Sequence, residues 1–120
     1  MKKFIESHEW IEIEEDIGTV GVTAHAQKEL GDIVFVELPK INKMVKAGEE
    51  AVVLESTKAA ADVYSPVSGE IIAVNSQLKE SSELINQSPE EKGWLFKIKI
   101  LEKTEINKLL DKEAYLNLIK

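Results

Sequence analysis

Short runs of valine and isoleucine, interrupted by turn residues, dominate the middle of the chain. Within residues 45–74 these runs are separated by Gly48, Pro66 and Gly69. Short strands separated by turns at this spacing are typical of a small β-barrel or β-sandwich. The sequence therefore predicts a mainly β fold that is built around this region.

Two segments of the central region resemble each other. Residues 45–49 and 67–70 both contain a valine, a glycine and a glutamate, and each leads into an apolar run. A sheet made of two similar halves would leave such a repeat, and so would chance or a recurring type of turn. Between them lie residues 55–62, which we predict to be the tip and return strand of a hairpin, with Lys58 at the tip.

The flanking regions predict further strands and a few short helices. Residues 10–22 alternate apolar and polar side chains as a β-hairpin does, and residues 33–38 form another strand. Residues 23–31 begin with a threonine that can cap a helix and end with a glycine, which predicts a short helix. Leu84 and Ile85 are expected to anchor one helical turn.

The C-terminal third predicts a strand followed by helices. In residues 94–100 we expect Trp94, Phe96, Ile98 and Ile100 to share the buried face, with Leu95, Lys97 and Lys99 opposite. From Glu105 onward apolar residues recur at helical spacing, which predicts two short amphipathic helices that cover the sheet. Asp111 occupies a possible capping position. The apolar residues assigned to the core are Ile106, Leu109, Leu110, Tyr115, Leu118 and Ile119.

Composition restricts the class of protein. The 120 residues are enough for one domain, and we predict that residues 1–120 form it. The chain has 22 acidic residues against 15 basic ones, all of them lysine, and a net charge of −7. Without a basic patch or arginine, nucleic acid binding is not expected. An acidic surface favours docking to basic partner surfaces, or simply solubility.

The chain also lacks the signals of membrane insertion, export and oxidative folding. Its longest apolar runs have four residues, far fewer than the roughly 20 that span a bilayer, and no secretory signal follows Met1. It has no cysteine, which suits a reducing compartment. We expect a bacterial-type cytoplasmic protein, or an organelle matrix protein if a presequence has been removed.

The supply of catalytic groups is small. His8 and His25 are the only imidazoles, and we expect each to be a hydrogen-bonded surface or boundary residue. A metal site would have to recruit carboxylates from distant parts of the chain, so none is predicted. Glycine-rich phosphate loops are absent as well. The protein alone is therefore not expected to be an enzyme.

Lys58 is the one lysine whose setting suggests covalent modification. A modifying enzyme needs an amine on an exposed and rigid tip, which a tight hairpin provides. Small residues such as Ala59 leave clearance, while Glu55 and Asp62 flank the tip and could orient an enzyme or a loaded arm. On spacing alone, however, an ordinary solvated lysine in a polar turn is the better interpretation.

Several segments together resemble a known family, the H protein of the glycine cleavage system. They follow one another in collinear order over essentially the whole chain: residues 7–10, 20–27, 30–39, 48–49, 55–62, 65–70, 74–75 and 93–98. The chain has Thr57 where the family more often has valine and Ala61 where serine is frequent. Residues 77–92 are less similar. Because methionine usually stands on both sides of a biotinylated lysine, Thr57 and Ala59 argue against a biotin carrier.

The resemblance implies a lipoyl-type barrel-sandwich hybrid with short helices outside, in which Lys58 carries lipoic acid in amide linkage. The protein would be a non-catalytic carrier in glycine catabolism and one-carbon metabolism. It would carry the aminomethyl group of glycine from a pyridoxal-phosphate-dependent glycine decarboxylase to a tetrahydrofolate-dependent aminomethyltransferase. A dihydrolipoyl dehydrogenase would reoxidise the arm, and a lipoate ligase or transferase would attach it. Glu55 and Ala59 would flank the site that the attaching enzyme recognises.

Three residues are predicted to receive the end of the arm. Because that end is cationic when loaded, we expect Ser7, Glu9 and Asp62 to form a polar niche for it, in segments that lie near the arm in this family. Alternatively, Glu9 merely orders the N-terminal strand. Two other functions also fit the sequence: an H-protein-like lipoate relay for other lipoyl enzymes, and an unlipoylated interaction module. A monomer is expected in each case.

Overall fold

Nine strands form two antiparallel sheets in the computed structural model, which describes residues 1–120. The strands are β1 (Lys2–Phe4), β2 (Glu9–Glu14), β3 (Ile17–Val22), β4 (Ile33–Glu37), β5 (Met44–Val45), β6 (Glu50–Ser56), β7 (Ala60–Tyr64), β8 (Gly69–Val74) and β9 (Phe96–Ile100). One sheet has the order β1-β2-β3-β9-β8-β5, and the other has the order β4-β6-β7. The prediction of a mainly β fold is therefore confirmed.

Three short α-helices and two 3₁₀ segments connect or follow the strands. They are α1 (Ala24–Leu30), α2 (Glu83–Gln87), α3 (Lys112–Leu118) and the 3₁₀ turns Ser76–Lys79 and Lys103–Lys108. Helix α1 begins and ends as predicted, because the Thr23 hydroxyl accepts a hydrogen bond from the Ala26 N–H and Gly31 follows the last turn. None of the helices combines the length and apolar character that crossing a bilayer requires.

One apolar core joins the two sheets. Its 19 buried side chains come mainly from β2, β3 and β9 on one side and from β4, β6 and β7 on the other, and the rest come from β5, β8, the helical segments and the adjoining loops. Strand β9 shows how the alternation produces it, because Phe96, Ile98 and Ile100 are buried whereas Lys99 is exposed. The two glycine-containing segments that resemble each other meet in the larger sheet, where Val45 of β5 pairs with Gly69 of β8.

The start of the β9 region differs from the prediction. Trp94 is only half-buried, whereas Leu95, which we assigned to the outer face with the lysines, is fully buried. Leu95 precedes the strand: its N–H donates to the carbonyl of Val20, and its own carbonyl accepts from the N–H of Asn75. These backbone contacts hold Leu95 between β3 and the segment that follows β8, where its side chain is covered.

The C-terminal segment is only partly as predicted. Asp111 caps α3, but the preceding element is a 3₁₀ turn, and of the predicted core residues Tyr115 alone is fully buried. Leu118 is 50% exposed. Helix α3 is only seven residues long and packs chiefly by stacking Tyr115 on Phe4 of β1, with ring centroids 4.7 Å apart. It therefore has no room to bury a complete apolar stripe.

Candidate functional site

Lys58 lies at the tip of the β6–β7 hairpin, with its side chain exposed. The N–H of Ser56 donates to the carbonyl of Ala59 at 2.9 Å and closes the turn. The N–H of Thr57 donates to the carbonyl of Asp32 at 3.1 Å, which ties the tip to the loop after α1. The hairpin therefore presents Lys58 on an anchored turn, as the sequence predicted.

The hydroxyl group of Ser56 organises this turn. It accepts hydrogen bonds from the N–H groups of Lys58 and Ala59 and donates one to the carbonyl of Ala59, all at 3.1 Å. These bonds use both acceptor sites and the donor of one hydroxyl. Sequence analysis did not single out Ser56, although a serine placed two residues before a loop amide is a recognised turn signal.

Gly31 provides the surface over which the Lys58 side chain passes. A Cβ atom at residue 31 would lie 3.3 Å from Cε and 3.7 Å from Nζ of Lys58. The backbone of Gly31 has φ 83° and ψ −163°, a combination that is essentially restricted to glycine. The sequence predicts only that Gly31 ends α1. In the structure the amine of Lys58 also lies beside Gly31, at the end of this helix.

A cleft of about 180 Å³ lies beside the same helix. Ala26, Glu29 and Leu30 of α1 form part of its wall, and the other lining residues come from β7, the end of β3, the start of β2 and the segment before it. Half of the lining is apolar. The complete set is Ser7, His8, Glu9, Val22, Ala26, Glu29, Leu30, Ala61, Asp62 and Val63.

The cleft brings together all three residues that the sequence proposed for a polar niche, namely Ser7, Glu9 and Asp62. Ser7 and Asp62 are exposed, whereas Glu9 is only 2% exposed. Glu55 and Ala59, the residues expected to flank the modified lysine, are exposed on either side of the tip and do not line the cleft. The tip and the cleft are thus adjacent parts of one surface, joined by α1.

Glu9 is the most unusual group in the cleft. Its carboxyl group accepts hydrogen bonds from the hydroxyl of Ser7 and, at 2.9 Å, from the N–H of Tyr64 in β7. Burial raises the pKa of Glu9 from 4.5 to about 7, although the hydrogen bonds from Ser7 and Tyr64 oppose the increase. Because it links β2 to the other sheet, Glu9 has a structural contact as well as a position in the niche.

The exposed amine and the adjacent cleft fit an amide-linked arm that has a hydrocarbon stem and a polar or cationic end. The apolar wall formed by α1 and Val63 would contact the stem, and the carboxyl groups of Glu9 and Asp62 would meet the end. Gly31 leaves the beginning of that path open.

Comparison with known proteins gives consistent results along the chain. Residues 2–120 match the family model described as "Glycine cleavage H-protein". The chain is 52% identical over 115 residues to the glycine cleavage system H protein of Thermotoga maritima, covering 96% of this chain and 93% of the relative. It is 54% identical over 114 residues to the corresponding protein of Teredinibacter turnerae, covering 94% of this chain and 88% of the relative.

A solved structure gives the same result for the fold. The crystal structure of a glycine cleavage system H protein from Mycobacterium marinum matches with a TM-score of 0.87 at 33% identity. The match covers 97% of this chain and 94% of that one. It confirms the predicted barrel-sandwich hybrid with short outer helices.

Proposed function

The chain belongs to the glycine cleavage H-protein family and acts as a lipoyl carrier of the glycine cleavage system, and we propose that Lys58 is the residue that carries the lipoyl group. Members of this family are non-catalytic carrier subunits. The observation that carries the assignment to Lys58 is the hydrogen-bonded hairpin tip, which presents the amine beside Gly31 and the cleft.

The remaining chemistry is divided between the arm and the chain. When attached, the lipoyl group supplies a disulfide that accepts the aminomethyl group of glycine and a flexible tether that raises its local concentration at successive enzymes. The chain's own residues hold and shield the arm. In this proposal Ser7, Glu9 and Asp62 receive its ammonium end, and the buried carboxyl group of Glu9 offers that end a partner with restricted access to water.

Membership of the glycine cleavage system implies that the chain meets the other enzymes of that system. The proposed partners are the glycine decarboxylase, the aminomethyltransferase, the dihydrolipoyl dehydrogenase and the lipoate ligase or transferase. We assign this role to residues 1–120 as one domain, which the continuous core joining both sheets supports, and we propose that it acts as a monomer. The relatives named above are bacterial, which favours a cytoplasmic location.

Lipoylation of Lys58 can be tested directly on the full chain. The protein is incubated with lipoate, ATP and a lipoate ligase, its intact mass is measured before and after the reaction, and peptide mapping then locates any added mass. One lipoyl increment is expected, located on Lys58 and lost in Lys58→Arg. Lys46→Arg, which changes an exposed lysine on another turn, serves as the matched control and should be modified fully. A folded protein that gains no increment, or gains it elsewhere, would refute the assignment.

The niche is tested by the lifetime of the loaded arm. Glu9→Gln retains an oxygen that can accept from the Tyr64 N–H but removes the carboxylate charge. We expect the aminomethyl-loaded form of this variant to lose its group severalfold faster than the wild type, as followed by mass spectrometry. Glu14→Gln removes an exposed carboxyl group from the same strand and should leave the lifetime unchanged. Equal lifetimes in all three proteins would restrict Glu9 to ordering the N-terminal strand.

A further inference from the structure

The fold brings together the only two histidines of the chain. His8 lies in the segment before β2 and His25 lies in the first turn of α1, yet their ring centroids are 4.7 Å apart. Glu29 follows His25 by one helical turn, and its Oε1 is 3.3 Å from Nε2 of His25. One ligand atom from each of the three residues lies within 4.8 Å of the other two.

This spacing matches the requirements of a tetrahedral metal ion. Zinc binds histidine nitrogen and carboxylate oxygen at roughly 2.0–2.2 Å, which puts neighbouring ligand atoms about 3.3 Å apart. His25 and Glu29 already have that separation. Residues four apart on a helix share one face, and small side-chain rotations would bring the nitrogen of His8 to the same distance.

His8 is held in place by interactions that would favour metal binding. Its backbone has φ 76°, a left-handed conformation that is uncommon for a residue other than glycine. Its Nδ1 lies 2.9 Å from the hydroxyl of Tyr115, which is itself 2.7 Å from the hydroxyl of Thr23. When the Tyr115 hydroxyl donates its hydrogen to Thr23, its oxygen can accept a hydrogen bond from the Nδ1–H of His8. The tautomer of His8 that carries its hydrogen on Nδ1 leaves the lone pair of Nε2 free to bind a metal ion.

We propose that His8, His25 and Glu29 form a binding site for one divalent transition metal ion, with Zn²⁺ as the representative ligand. Two imidazoles and one carboxylate are a donor set that zinc uses when a fourth position stays open. His8 and Glu29 also line the 180 Å³ cleft, so a bound ion would lie at the edge of that cleft. Sequence analysis predicted no metal site, because nothing in the sequence indicates that His8 packs against α1.

The site can be tested on the full chain with Lys58 unmodified, since the dithiol of a reduced lipoyl arm would itself bind zinc. Zn²⁺ is titrated in competition with a chromogenic chelator, and one ion per chain is expected. His25→Ala and Glu29→Gln should each weaken the affinity at least tenfold. Glu113→Gln, which changes an exposed glutamate on the similarly short α3, should have no effect. Circular dichroism verifies that each variant is folded.

Two further measurements separate this site from general binding to surface carboxylates. Co²⁺ should give the intense visible absorption of a tetrahedral complex in the wild type and lose it in His25→Ala. Tyr115→Phe keeps the stacking on Phe4 but removes the hydroxyl that orients His8, and should weaken Zn²⁺ binding roughly tenfold with one ion still bound. An affinity that is the same in wild type and His25→Ala, or Co²⁺ spectra without tetrahedral bands, would overturn the proposal.

Discussion

The turn around Lys58 is closed mainly by hydrogen bonds within residues 56–59, whereas the cleft around Glu9 is assembled from three separate parts of the chain. The turn is exposed, and its side chains contribute little to the core. Glu9 is almost fully buried and joins β2 to β7. A point of attachment therefore depends mostly on local order, while a protected receiving site needs the whole fold.

This difference separates two kinds of sensitivity. Changes at the tip should alter the modification of Lys58 and cost little global stability, because few buried contacts depend on it. Changes at Glu9 should alter the stability of the fold itself, because a buried polar group and its partners are then affected.

The largest effect is expected from the titration of Glu9. Its pKa is about 7 in the fold and 4.5 when solvated, so the native state retains a proton that the unfolded chain releases. The contribution of Glu9 to the free energy of unfolding is therefore fully present below pH 4.5 and is lost as the pH rises through about 7. The total loss is roughly 3 kcal/mol. Urea unfolding across this range, in buffer with EDTA, should show the loss in the wild type and not in Glu9→Gln.

The comparison between variants isolates this group from the other carboxyl groups of the chain. Glu90, for example, has a lowered pKa because Lys2 and the Ala24 N–H hydrogen-bond to it, against the opposing effect of its burial. The contribution of Glu90 to stability therefore increases as the pH rises, and it does so equally in the wild type and in Glu9→Gln. Glu14→Gln should follow the wild type. Parallel stability curves for wild type and Glu9→Gln would mean that the burial of Glu9 does not affect its ionisation.

A smaller effect is expected at Gly31, where the tip and the cleft meet. Alanine there would occupy a backbone conformation that costs about 2 kcal/mol for a residue with a Cβ. That Cβ would lie 3.3 Å from Cε of Lys58, so the end of the lysine side chain would have to shift away from α1 by a few tenths of an ångström. Gly31→Ala should therefore lower the midpoint of urea unfolding and slow the lipoylation of Lys58 severalfold.

Gly48 offers a matched control for this substitution. It also has a positive φ, of 85°, but a Cβ at that position would meet nothing within 4 Å. Gly48→Ala should therefore lower stability without changing the rate of lipoylation, measured at a temperature where both variants are folded. Equal lipoylation rates for the two variants would show that Gly31 only ends α1 and does not position Lys58.

The local parts of the fold could be predicted because their signals lie within a few residues. The hairpin tip follows from polar turn residues between two apolar runs, and α1 follows from Thr23 and Gly31 at its ends. Strand β1 was not predicted, because its sequence is Lys2-Lys3-Phe4 and it forms only by pairing with β2 and Leu110. Pairing with residues that are distant in the sequence determines this strand, and the hydrophobic periodicity of its own residues could not reveal it.

The candidate functional site shows the same division between features with a local sequence signal and features that depend on distant contacts. Ser7, Glu9 and Asp62 were proposed from the positive charge of the loaded arm together with the resemblance to a family, and the fold does bring them together. The hydrogen bond from Tyr64 to Glu9 joins residues 55 positions apart, and no local pattern predicts it. The pKa of Glu9 depends on that burial, so it could not be foreseen either. The contact between His8 and His25 is a third case, since it depends on how α1 packs.

The smallest effect is expected at Ser56, and it tests whether the tip is truly a local structure. Ser56→Ala removes three hydrogen bonds that converge on one hydroxyl, yet the turn is exposed and water can replace them, so we expect a loss of about 1 kcal/mol or less. The amides of Lys58 and Ala59 should exchange hydrogen faster, and lipoylation should slow. Thr57→Ala changes an exposed neighbour whose side chain makes no hydrogen bond and should leave exchange unchanged. If Ser56→Ala instead destabilised the protein as much as Gly31→Ala, the tip would be coupled to the core, and the contrast with the Glu9 cleft would not hold.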